Sequence, residues 1–187
     1  SEERLLLEHN SIIQLNLVKS NISRVNYRIN NKKRFDTLLS IVGNCSTSMG
    51  KRTIREKILS PTTNIKILRE KYDIIEYLRD QEDYRNNCMH KLKELYDIEK
   101  LNFKLLRGNL KPKEFHNLFS SYHIVIELLN SSIPHIYNSE NVQLKPLFNI
   151  FPKGEELVSL NNCVKEVYEI FNLNLLEECN VIDQALN

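Results

Sequence analysis

The chain has 187 residues, 41% of them apolar and 27% charged, with 26 Lys/Arg against 24 Asp/Glu for a net charge of +2. That length fits one domain able to bury a core, and the composition excludes disordered and fibrous classes. Only 4 Gly and 5 Pro are present, too few for the turns of a β-sandwich or barrel or for the βα turns of an α/β domain, so an all-α chain is expected.

Taken in order, residues 5–18 mix apolar and polar positions and read as a short helix, or as a helix running into an extended piece. Residues 19–34 are polar and basic (Arg24, Arg28, Lys32, Lys33, Arg34) and read as a connection. Asp36 is placed to N-cap a short helix through Leu38, Leu39, Ile41 and Val42 that stops near Gly43. Ser46, Thr47 and Ser48 offer capping hydroxyls to a helix over 48–59, which Pro61 ends by disfavouring helical geometry at Ser60. Asn64 caps the next helix, whose apolar face is Ile65, Leu68, Tyr72, Ile75 and Leu78. Leu92, Leu95, Ile98, Leu101 and Leu105 form a further stripe ending near Gly108. Pro112 suits the first turn of a helix presenting Phe115, Leu118, Phe119, Tyr122, Ile126 and Leu129. Residues 130–153 hold three of the five prolines and read as a long connection. A last helix over 155–178 carries Leu157, Leu160, Val164, Val167 and Phe171 in the 3-4 spacing of a helix lying along another.

Charge is unevenly distributed. Residues 1–113 hold 23 Lys/Arg against 14 Asp/Glu, and residues 114–187 hold 3 against 10. A basic half suggests a polyanion or an acidic protein surface as neighbour, or two halves that simply complement each other. The longest apolar runs are triplets, against the ~20 residues of a membrane span, so no membrane partner is expected. Four scattered cysteines without a C-x-x-C pair point to a reducing, intracellular setting. A first residue that is Ser, with no basic-then-apolar leader, suggests a piece of a longer chain.

Chemical motifs mostly fail on spacing. Gly50-Lys51-Arg52-Thr53 lacks the phosphate loop's Gly, since position 45 is Cys, and its hydroxyl after Lys, since position 52 is Arg. Ser48-x-x-Lys51 fits an acylation motif without its companion motifs. His116 and His123 are seven residues apart, about 10 Å along a helix, too far for one metal. Cys88-Met89-His90 has no second ligand pair, and Asp80-Gln81-Glu82-Asp83 lacks the Gly and terminal Glu of a calcium loop. The Arg24–Arg34 stretch is a candidate for phosphate contacts, although aromatic residues are sparse there.

Three ordered blocks resemble the core, or lever, domain of the MutS family of DNA mismatch-repair proteins. The first is residues 5–17, with Glu8, Ser11 and Gln14 where Asp, Thr and Asn are usual and with Leu15 and Leu17 fitting. The second runs from Thr37 to Arg52 and is similar to the family's T-x-M-G-x-R helix start in Thr47, Met49, Gly50 and Arg52, with Pro61 eleven residues beyond the Gly. Lys57 stands where Trp is frequent. The third is Asp97-Ile98-Glu99-Lys100-Leu101, then Arg107 and Leu110 to Phe115, similar to the family's D-[LI]-E-[RK] helix and the start of its lever helix.

The resemblance implies an all-α helical bundle of core/lever type with a long final helix. Core helices would fill 1–130, a connecting loop 131–153, and a lever helix 154–187 would lead toward a clamp. Thr47, Met49, Gly50, Arg52, Pro61, Asp97 and Glu99 would be structural signature residues, with no catalytic, cofactor or metal site in the segment. Such a parent would clamp duplex DNA, pair with a second MutS-like subunit, and bind ATP and Mg²⁺ elsewhere in its chain. This segment has neither a Phe-x-Glu motif nor a phosphate loop. The other readings are a free-standing helical interaction module with a basic face, expected to be a gene of about this length, and an enzyme.

Overall fold

The computed structural model describes residues 4–19, 37–137, 151–152, 154–173, 175 and 186, with backbone alone for 133–137. The fold is an all-α helical bundle. The described helices are α1 (His9–Gln14), α2 (Leu38–Val42), α3 (Ser48–Leu59), α4 (Ile65–Asp80), α5 (Glu82–Glu94), α6 (Ile98–Leu106), α7 (Pro112–Tyr137) and α8 (Gly154–Ile170). The only strand-like pairings among the described residues are isolated bridges, Arg4 with Thr62 and Phe171 with Leu186. The basic stretch Arg24–Arg34 and Asp36 lie outside the described residues.

The chain divides into two compact units, Ser1–Arg69 and Glu70–Asn187. In the first, helix ends are tied by short-range hydrogen bonds. The cap of α2 is Thr37, not the expected Asp36. The Thr37 hydroxyl accepts from the Ser40 amide at 3.1 Å and Ser40 Oγ accepts from the Thr37 amide at 3.0 Å, a capping box that satisfies two amides at once. The next free amides, Leu38 and Leu39, donate to the Asn16 and Leu17 carbonyls at 2.9 and 3.0 Å. Past α3, the Pro61 carbonyl accepts from the Leu5 amide at 2.8 Å, and Arg4 pairs with Glu56 at 2.8 Å.

The second unit holds the core: Leu101, Phe115, Leu118, Phe119, Ile126, Leu157, Val164 and Leu173. The α7 face read from the sequence is the centre of this cluster, and α8 contributes the 3-4 stripe, with Leu160, Val167 and Phe171 packed at its margin. The pairs Phe115–Phe171 (5.3 Å between ring centres) and His123–Tyr168 (6.3 Å) show α7 and α8 to be antiparallel. His116 Nδ1 lies 2.8 Å from the Leu173 carbonyl oxygen, joining α7 to the chain just past α8.

Three further expectations change. The stripe from Leu92 to Leu105 belongs to two helices, because Leu95 is extended and Asp97 caps α6. The connection expected from residue 131 begins later, since α7 continues through Pro134 to Tyr137; the Ser132 hydroxyl there donates to the Leu128 carbonyl and accepts from Tyr84 of α5. The final helix, expected to reach 178 or beyond, ends at Ile170, where Phe171 enters its bridge. The apolar face of α4 is largely open, with Ile65, Tyr72 and Ile75 all exposed.

Candidate functional site

The signature residues fall in two places, one in each unit. In the first, the Thr47 hydroxyl accepts from the Gly50 amide at 2.9 Å, the N-cap bond of α3. A side chain at Gly50 would begin 3.0 Å from Thr47 Oγ1 and 3.2 Å from Cys45 Cβ, so the cap closes against bare backbone. Met49 is half-buried and Arg52 exposed on the same helix, and the Met49 carbonyl accepts from the Thr53 hydroxyl at 3.0 Å. Pro61 has no amide to give and contributes only its carbonyl. Gly50→Val is expected to cost about 1–2 kcal/mol, from crowding and the strained cap. A chemical denaturation curve with an unshifted midpoint would show that Gly50 is not closely packed.

The second place is the corner between α5, α6 and α7. Asp97 Oδ1 accepts from the Lys100 amide at 3.2 Å and caps α6, and Glu99 is exposed in the first turn, where a carboxylate suits the helix dipole. At the far end, Gly108 has φ of +68°. Its amide bonds the Leu105 carbonyl and the Asn109 amide bonds the Lys104 carbonyl, a Schellman closure for which glycine is suited. Arg107 stacks over Phe103 at 4.2 Å. Glu114 accepts from the Lys111 amide at 3.2 Å and from Lys104 Nζ, joining the α7 start to α6.

Charges here are local ties. The Lys104 ammonium holds the Glu114 carboxyl below the usual carboxylate range, and Lys91, at 2.9 Å, does the same for Glu127. Burial pushes up the phenols of Tyr84, Tyr122 and Tyr168. A cleft of about 220 Å³ lies among Tyr96, Asp97, Lys100, Leu101, Lys104, Glu114 and Asn117, below the 300–1,000 Å³ of ordinary ligand pockets.

The residues weighed for other chemistry are engaged in local structure. The Gly50 amide, in the stretch weighed as a phosphate loop, donates to the Thr47 hydroxyl. His90 pairs with Glu94, and His123 with Glu127. Among the described residues no three His, Cys, Asp or Glu side chains are grouped to hold a metal. Asp80 to Asp83 do not form a turn: Asp80 ends α4 and Glu82 and Asp83 begin α5, with Gln81 between them; Arg79 pairs with Asp80, and Arg85 Nη1 donates to the Leu78 and Arg79 carbonyls. No described helix is long and apolar enough to cross a membrane.

Two positions escaped the sequence reading. Ser121, wholly buried in α7, accepts from the Tyr96 amide at 3.1 Å and donates to the Asn117 carbonyl at 2.7 Å. Ser132, three helical turns on, receives the Tyr84 hydroxyl at 2.7 Å. With Lys91–Glu127 between them, these contacts fasten α5 and its corner along α7. Their eleven-residue spacing puts both serines on one face, but two serines in a helix are not by themselves a signal.

The family model described as MutS domain III matches residues 10–184. DNA mismatch repair protein MutS of Carboxydothermus hydrogenoformans is 30% identical over 70% of this chain and 15% of its own length. MutS of Fusobacterium nucleatum is 26% identical over 80% of the chain and 17% of its length. A mutS homologue of Acanthamoeba polyphaga mimivirus is 27% identical over 99% of the chain and 17% of its length. The chain thus spans less than a fifth of the length of these relatives. With a helical bundle whose capped α3 and α6 carry the signature blocks, and with the match covering nearly every residue, the chain belongs to the MutS family of DNA mismatch-repair proteins and represents its domain III.

Proposed function

We propose that this segment is the core and lever of a longer MutS-like protein: a non-catalytic strut that couples ATP hydrolysis in one part of the parent to the grip on DNA in another. The observation that carries the reading is the α7–α8 pair. Helix α7 has 26 residues, about 39 Å at 1.5 Å per residue. It is joined to antiparallel α8 through the buried cluster, the Phe115–Phe171 contact and the His116–Leu173 bond. The packed stretch is set by the 17 residues of α8, about 25 Å, and such a pair transmits displacement because its core does not deform continuously.

In this reading the parent takes ATP and Mg²⁺ outside these residues, binds mispaired duplex DNA, and works with a second MutS-like subunit in an intracellular setting. The test compares the 187-residue chain with its parent. The chain alone is expected to give no ATP turnover and only weak duplex binding that fades as salt rises, without mismatch preference. The parent is expected to show both activities. Mismatch discrimination by the chain alone in an anisotropy titration, or a parent reading frame without an ATPase, would contradict the assignment.

A further inference from the structure

Positive charge is concentrated in the first unit. Ser1–Arg69 holds 13 Lys/Arg against 5 Asp/Glu, whereas residues 70–187 hold 13 against 19. Among residues 37–69 the imbalance is sharper: Lys51, Arg52, Arg55, Lys57, Lys66 and Arg69 stand against a single carboxylate, Glu56. That carboxylate is already engaged by Arg4 at 2.8 Å. Four of the six cations lie on α3, and all four are exposed. Lys51 and Arg55 are one turn apart on one face, about 6 Å along the axis, with Arg52 beside them. Neither Lys51 nor Arg55 makes an ion pair with a described residue or is otherwise engaged. Like charges one turn apart repel and weaken a helix, so this face gains when an anion arrives to neutralise it.

We propose that the Lys51–Arg55 face of α3 contacts the phosphate backbone of duplex DNA without reading its sequence. The inference rests on the reading of this chain as part of a longer DNA-binding MutS-like protein, and it adds to the strut a contact that passing movement along does not require. Charge complementarity selects a polyanion, because each Lys or Arg that neutralises a phosphate releases a condensed counterion. The rest of α3 selects among polyanions and acidic surfaces. It contains no aromatic residue, so unstacked bases of a single strand find no platform. Its apolar members Met49, Ile54, Ile58 and Leu59 are half-buried and none is an exposed large hydrophobic. The helix therefore offers neither the apolar centre of a protein interface, where Lys is depleted, nor a face to insert among lipids. Lys and Arg on a polar face, with nothing to enter a groove, is the equipment for positioning a backbone and not for reading bases.

The experiment uses the full-length parent and a fluorescently labelled, fully paired duplex, titrated by anisotropy over a series of salt concentrations. The double variant Lys51→Gln/Arg55→Gln is expected to reduce the slope of log affinity against log salt by about 1.8, from about 0.9 for each lost phosphate contact. Lys93→Gln/Lys113→Gln, which removes the same charge from exposed positions of the second unit, should keep the wild-type slope. Equal slopes for the two double variants would overturn the proposal. As a second measurement on the unsubstituted parent, acetylation of Lys51 by an N-hydroxysuccinimide ester should slow several-fold when duplex is added, with Lys93 unchanged. An unprotected Lys51 sinks the contact, and so does equal protection by polyglutamate or by phosphatidylserine vesicles at matched charge, which would make the face a general anion surface. A parent without ATP turnover defeats the coupling reading while slope and protection still report on α3. A parent that turns over ATP and retains mispaired duplex, but whose two double variants share one slope, defeats the α3 contact alone.

Discussion

Truncating Leu118 to alanine is expected to destabilise the chain by about 3 kcal/mol, within the range for large-to-small substitutions at fully buried sites. Leu118 is wholly buried, and its neighbours on α7, Phe115 and Phe119, are buried with it. Their rings stand 4.6 Å apart. Alanine would remove apolar contact and leave a cavity that a helix pinned by α5, α6 and α8 cannot close by shifting. The melting temperature should fall by about 10 °C, and the urea midpoint should move with little change in slope. Leu118→Met, which conserves volume, should lose less than about 1.5 kcal/mol. Leu106→Ala, on a side chain 85% exposed, should stay within about 0.5 kcal/mol. If Leu118→Ala and Leu106→Ala prove equally mild, α7 is not the centre of the core and the strut reading loses its physical basis.

Replacing Ser121 with valine should cost about 2–3 kcal/mol. Ser121 is fully buried, and its hydroxyl both accepts the Tyr96 amide and donates to the Asn117 carbonyl. Valine leaves the Tyr96 amide without that acceptor, a loss of about 1 kcal/mol for a part-buried donor, and forces an extra methyl into a packed site, for about 1–2 kcal/mol more. Ser121→Ala separates the two effects, because it removes the acceptor without adding bulk. The distinguishing readout is local: the Tyr96 amide should exchange faster in both variants by more than the global stability change accounts for. Slow exchange at Tyr96 in both variants would mean that this hydrogen bond does not hold the corner between α5 and α6.

Local chemistry was enough to locate much of this bundle. The hydroxyl at Thr47 followed by a helical pattern and Pro61 yields a helix with bounds of Ser48 and Leu59, because caps and proline act on the few residues beside them. The α7 face was legible from Phe115 to Leu129 because a 3.6-residue period records which side meets the core. The family was legible too, from the order of three blocks. The second and third blocks include cap positions of α3 and α6 and the start of α7, where backbone geometry restricts residue choice.

Contacts distant in sequence decided the rest. A continuous leucine stripe across residues 92–105 allows one helix; the buried Ser121 hydroxyl, 25 residues away from Tyr96, provides a partner for the amide at the break. Ser132 and Pro134 read locally as the start of a loop, yet Ser132 bonds Tyr84 from 48 residues away and sits in a helix that runs on to Tyr137. The stripe of α4 shows the converse: its period marked an apolar face correctly, but Ile65, Tyr72 and Ile75 remain exposed. Periodicity records that a face is apolar, whereas burial depends on which surface arrives to cover it. That second fact belongs to the tertiary structure, because hydrophobic contact is non-directional and carries no address in the local sequence.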